Sequence, residues 1–147
     1  MTTRHLTMRI GVDVYDKLEA ESKRQQRSVS AIAKTLLEEG LRMQEHPGIV
    51  FRPGPAGRRP ALADGPDVWE VARLVQSLDC EGDEAISKAA EWASLTPHQV
   101  RTALRYYAEY RGDIDVWIER ANSDADQAHA AWLADPANAS LRSLLAG

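Results

Sequence analysis

One cysteine, Cys80, is all that this chain of 147 residues contains. It forms no intramolecular disulfide and no multi-cysteine zinc site. No apolar run approaches the roughly 18 residues that a membrane span needs, and no signal peptide opens the sequence. A cytoplasmic location with no membrane partner is therefore expected. The sequence has no Gly-x-Gly-x-x-Gly, no P-loop and no Gly-x-Ser-x-Gly. Its histidines, His5, His46, His98 and His129, are scattered, with no two at metal-ligand spacing on one helix. The acidic group Glu119, Asp124 and Asp126 reads as a solvated helix face. An enzyme is not expected, and neither a cofactor nor a metal is implied.

What is present is charge, unevenly placed. The net charge is −4. Residues 1–60 carry 11 Lys+Arg and 7 Asp+Glu (+4), and residues 61–147 carry 7 and 15 (−8). Such asymmetry between halves suggests a basic binding arm joined to an acidic remainder.

Periodicity predicts a mainly α chain in four segments: 1–44, 45–66, 67–135 and 136–147. The first opens with Arg4-His5-Leu6-Thr7-Met8-Arg9-Ile10. Leu6, Met8 and Ile10 point one way and His5, Thr7 and Arg9 the other, as in a half-buried strand. A helix follows over about 13–26. After the turn Arg27-Ser28, a second helix runs over about 29–44, with Ser28 placed to cap it. Residues 45–66 hold five of the seven prolines. This connector reads either as a linker or, better, as an irregular β-hairpin, because Ile49-Val50-Phe51 has no use in a solvated linker. Helices are predicted over about 68–78, capped by Asp67, and over 83–93. Another runs from Pro97 to Tyr110, capped by Thr96 and stopped by Gly112. The next begins near Asp113 and carries the stripe Ile114, Trp117, Ile118, Ala121, Ala125, Ala128, Trp132. Residues 137–147 read as a weak helix. Trp69, Trp92 and Trp117 are assigned to the core. Trp132 is either packed or an anchor for a partner.

A strand and two helices in about 40 residues are too few to bury a core alone, and a lone strand leaves its edges unpaired. Pairing two copies antiparallel cures both defects. It predicts a homodimer whose two-stranded ribbon fits the major groove of B-DNA. Residues 4–43 resemble the ribbon-helix-helix (Arc/MetJ/CopG-type) transcriptional regulators. The resemblance rests on the strand, on Val14-Tyr15-Asp16-Lys17-Leu18 and on Arg27-Ser28-Val29-Ser30-Ala31-Ile32. It implies that His5, Thr7 and Arg9 read bases and that Ser28, Val29 and Ser30, with Arg4, hold phosphate. Gly11 stands where that family usually has proline, and Ala31 where it often has glutamate.

Residues 83–110 read as helix, short turn, helix. His98, Gln99, Arg101, Thr102 and Arg105 are assigned to the outer side of the second helix, with Arg111 beyond. They form either a second DNA surface or the solvated face of a plain bundle. Two stretches, Gly57-Arg58-Arg59-Pro60-Ala61-Leu62 with Val68-Trp69-Glu70-Val71, and Leu95-Thr96-Pro97-His98-Gln99-Val100-Arg101-Thr102-Ala103-Leu104-Arg105-Tyr106-Tyr107, resemble the family of domain of unknown function 433. That resemblance implies a β-hairpin followed by a helix-turn-helix module of VapB-type antitoxins. Gly65-Pro66-Asp67 departs from that family's usual approach to the tryptophan.

The expectation is a sequence-specific double-stranded DNA-binding transcriptional repressor. It acts as a homodimer, with higher-order assembly on DNA left open. The alternative is an antitoxin of a type II toxin-antitoxin pair, masking a PIN-type ribonuclease toxin through its C-terminal half and repressing its own operon.

Overall fold

The computed structural model describes residues 2–146. Among these the chain is mainly helical, with seven α-helices and one two-stranded antiparallel sheet. It divides into two compact units, Met1–Glu45 and His46–Gly147.

In the first unit, residues 2–10 have no regular structure in the single chain and every one is exposed. Helix α1 spans Val12–Gln25 and α2 spans Val29–Glu45. Helix α1 ends because Gln26 turns left-handed, at φ 54°. Ser28 then caps α2 as expected, its Oγ accepting the Ala31 N–H at 3.1 Å. With alanine at position 31 the return bond of a capping box is missing. Ile32 is buried, but α1 has no buried residue at all. An amphipathic helix pair this poorly covered has not closed its core.

The second unit begins with the hairpin, β1 Ile49–Arg52 and β2 Arg59–Leu62, in the register Ile49↔Leu62 to Arg52↔Arg59. Gly48 leads into it at φ +97°, with Thr102 Cγ2 only 3.3 Å from where a Cβ would stand. Glycine is the residue that accepts both conditions without strain. Arg52 braces the hairpin, donating to the carbonyls of Leu62, Ala63 and Gly65 at 2.8–2.9 Å. The helices are α3 Val68–Gln76, α4 Gly82–Ala93, α5 Pro97–Glu109, α6 Arg111–Ala134 and α7 Ala139–Leu145. A 3₁₀ turn, Pro136–Asn138, precedes α7.

One core joins hairpin and helices. Ile49 and Leu62 pack with Val68, Val71, Ala89, Val100, Ala103, Tyr106, Ile114 and Ile118. Tyr106 lies at its centre, ringed by His46, Phe51 and Tyr110 at centroid distances of 5.1, 6.3 and 4.7 Å. His46 Nε2 lies 2.5 Å from Glu109 Oε2, which pairs an otherwise isolated buried imidazole. Tyr107 stitches three helices. Its hydroxyl donates to Asp115 Oδ1 at 2.6 Å and accepts from Gln76 Nε2 at 3.0 Å. Burial, then the bond to Asp115, holds this phenol above its ordinary value of 10.0.

Four expectations need correction. Gly112 does not stop α5. The break falls at Tyr110 (φ −115°, ψ 40°), and Gly112 lies in the first turn of α6. Asp67 occupies the N-cap of α3 but makes no side-chain cap; its Oδ2 instead accepts from Trp69 Nε1 at 3.1 Å and lies 2.5 Å from Arg59 Nε. Trp92 is 78 % exposed rather than core. Helix α4 meets its neighbours through Ala85, Ala89 and Ala90, a contact too close to admit an indole at the edge of the buried arc. The apolar stripe of α6 is buried only as far as Ile118, with Ala121 half-buried, and Ala125 and Ala128 are exposed. At 1.5 Å per residue α6 is about 36 Å long, whereas α3 beneath it is about 14 Å, so α6 outruns its support.

Helix α4 ends on Ser94 at φ 55°, a left-handed position that costs a non-glycine residue about 1 kcal/mol. The variant Ser94→Gly is expected to stabilise the second unit by about 0.5–1 kcal/mol, read as a raised urea midpoint with an unchanged slope.

Candidate nucleic-acid interface

Within residues 4–10 the structure reproduces the alternation read from the sequence. Thr7 Oγ1 lies 2.9 Å from His5 Nε2. Contact between residues i and i+2 puts both side chains on one side of an extended chain. On the alternate positions Leu6, Met8 and Ile10 are 69 %, 54 % and 40 % exposed. Arg4 and Arg9 are exposed as well. The segment thus offers three polar side chains on one side and an uncovered apolar row on the other.

Helix α2 supplies the second element. Ser28 Oγ already accepts one N–H of the first turn, but its own O–H remains available to donate. The N–H groups of Val29 and Ser30 belong to the donors that a helix start leaves without intrahelical partners. Together with the positive end of the helix they suit an anion. Arg27 is committed elsewhere, donating to Thr35 Oγ1 at 3.0 Å. Leu36, Leu37 and Leu41 on α2, with Val14 and Tyr15 on α1, remain exposed in the single chain.

On the second unit only part of the predicted surface survives. Ser94-Leu95-Thr96 joins α4 to α5. His98, Arg101 and Arg105, at helical spacing, are exposed together on α5. Arg101 sits 3.6 Å from Asp83 Oδ1. Thr102 is buried, and its hydroxyl donates to the His98 carbonyl at 3.0 Å. Gln99 closes a capping box, its Oε1 accepting the Thr96 N–H at 2.8 Å while Thr96 Oγ1 accepts the Gln99 N–H at 3.1 Å. Both therefore leave the candidate DNA surface. Trp132 is half-buried and stacks on His129 at 6.4 Å.

The charge division also moves. The boundary after Glu45 gives the first unit 8 Lys+Arg and 7 Asp+Glu (+1) and the second 10 and 15 (−5). Arg52, Arg58 and Arg59, counted earlier with the basic arm, belong to the second unit. Arg52 is spent on carbonyls and Arg59 on Asp67. The basic character that remains near the strand is local, residing in Arg4 and Arg9.

The fold defines a mainly helical two-unit protein with an unpaired, alternating N-terminal segment. No family model matches the chain, and no curated protein or solved structure matches it either. Among the described residues no helix is long and apolar enough to cross a membrane.

Proposed function

We propose that this chain is a sequence-specific regulator that binds double-stranded DNA as a homodimer, in the manner of the ribbon-helix-helix proteins it resembles. The observation that carries the reading is the alternation in residues 4–10, with His5 and Thr7 touching on one side and Leu6, Met8 and Ile10 uncovered on the other. A second copy pairing antiparallel covers that row and supplies the missing strand hydrogen bonds. The outward residues of both copies then enter a major groove. Arg9 donates a bidentate pair to guanine O6 and N7, and Thr7 meets a thymine methyl. His5 lies on the same side. The start of α2, at Ser28, Val29 and Ser30, grips the flanking phosphate. Arg4 contributes backbone charge.

The test is a band-shift titration on the DNA upstream of the protein's own gene, at several salt concentrations. Arg9→Ala is expected to cost about 1–3 kcal/mol on the preferred sequence. Arg4→Ala is expected to weaken all sequences alike and to lower the salt slope by about 1. Equal binding by wild type and Arg9→Ala would overturn the ribbon assignment.

A second reading, an antitoxin that masks a basic ribonuclease, draws support from α6. Beyond Ala121 its residues up to Ala131 are all exposed, Asp124 and Asp126 among them. An unsupported acidic helix is suited to a basic partner. Co-expression with a small nuclease encoded beside it, followed by co-purification, tests this reading.

A further inference from the structure

Between the first turn of α3 and the middle of α6 lies a hollow of about 350 Å³. Trp69 and Glu70 line it from α3. Trp117, Arg120 and Asp124 line it from one face of α6, at spacings of three and four. The Arg59–Asp67 pair closes one side. A second hollow of about 430 Å³ shares Trp69 and Glu70 and continues along α3 to Ser77. The tryptophan thus stands between two adjoining spaces, long enough together for a stretch of peptide rather than one small molecule.

The charges inside are not evenly matched. Arg59 is held by Asp67. Arg120 remains, against Glu70 and Asp124, for a net lining charge of −1. Yet Arg120 makes no salt bridge to either carboxylate. Its guanidinium instead lies over the Trp117 ring, 5.1 Å from the centroid. The hollow therefore already shows an indole face accepting a guanidinium, and it leaves two carboxylates without an ion-pair partner among the described residues. A guanidinium is planar and forked, so it can stack on an indole and pair with a carboxylate at once; an ammonium cannot do both as well. An anion would find both arginines engaged.

We propose that this hollow receives an arginine side chain of a partner protein, stacked on an indole and paired with Glu70 and Asp124, with the peptide chain running along α3 into the adjoining space. The site stands on the second unit alone and does not depend on DNA binding. It would give the nuclease-masking reading its basic contact, and the experiment below uses the purified protein, so its outcome is independent of whether a nuclease partner exists.

The four indole N–H signals of the 15N-labelled full chain, assigned through single Trp→Phe variants, are followed while a capped Gly-Ala-Arg-Ala-Gly peptide is added. Saturable shifts are expected at Trp69 and Trp117 and none at the exposed Trp92. The same peptide with citrulline, neutral but isosteric, is expected to give no shift. Glu70→Gln with Asp124→Asn, two substitutions at exposed positions, is expected to weaken binding about tenfold. Any of three results would overturn the proposal: no shift at millimolar peptide, equal binding by the citrulline peptide, or undiminished binding by the double variant. Free agmatine binding as tightly as the peptide would overturn the assignment to a partner protein.

Discussion

Replacing Tyr106 by alanine is expected to cost the second unit about 3–5 kcal/mol, the range for deleting a buried aromatic ring. The side chain is fully buried and is among the largest so placed in the molecule. It touches His46 before the hairpin, Phe51 within it and Tyr110 at the end of its own helix. Its loss would open a cavity at the one point where hairpin and helices share a core, and the surrounding rings sit on different elements that cannot collapse together. A domain of this size has roughly 5–15 kcal/mol of stability in all, so the variant should be largely unfolded well below the wild-type urea midpoint. All four tryptophans, Trp69, Trp92, Trp117 and Trp132, lie in the second unit. Their emission therefore reports on that unit alone, and the expected result is a red shift at much lower urea. A midpoint within the error of wild type would show that the core is not organised around this ring.

Much of this architecture was legible in local sequence, where short-range chemistry decides. Ile49-Val50-Phe51 facing Arg59-Pro60-Ala61-Leu62 across a Pro/Gly-rich turn became β1 and β2 with the expected ends. Ser28 and Thr96 became caps because a hydroxyl one residue before a helix has a backbone N–H within reach. Legibility ended where a side chain had two uses. Gln99 and Thr102 carry groove-reading chemistry, but each also had a backbone partner within one helical turn, and those partners won. Asp67 had the sequence position of a cap, yet an indole N–H and a guanidinium competed for the same oxygen. The stripe on α6 runs to Trp132 by periodicity, but period says which face is apolar, not how far a neighbouring helix extends beneath it. Trp92 belongs with these cases, since large aromatics are usually core and the close alanine packing of α4 is a tertiary fact. The charge asymmetry was real in sign but overstated for the first unit, because the arginines of the hairpin serve its own carbonyls and carboxylate.

Replacing Met8 by aspartate should turn the protein from a dimer into a monomer and abolish specific DNA binding in the same step. In the proposed ribbon Met8 is the central residue of the inward row, flanked by Leu6 and Ile10, and two copies bring two carboxylates into one apolar strip. Burying an unpaired carboxylate costs several kcal/mol, and the two-fold axis doubles the penalty, so association should weaken by at least about a hundredfold. Light scattering is expected to return the monomer mass of 16.3 kDa for Met8→Asp and twice that for wild type. The companion variant His5→Ala changes the outward side instead. It should keep the dimer mass while losing affinity for the preferred sequence, because an outward residue contributes to reading and not to pairing. Unchanged tryptophan emission in both variants would confirm that the second unit is intact and that the effects arise in the first. The pair of outcomes separates two roles that alternate along seven residues: an inward row that brings the copies together, and an outward row that acquires a use only once they are joined. A wild-type protein that scatters as a monomer at micromolar concentration, or a Met8→Asp variant that remains dimeric, would remove the ribbon and with it the reason for Arg9 to meet a base.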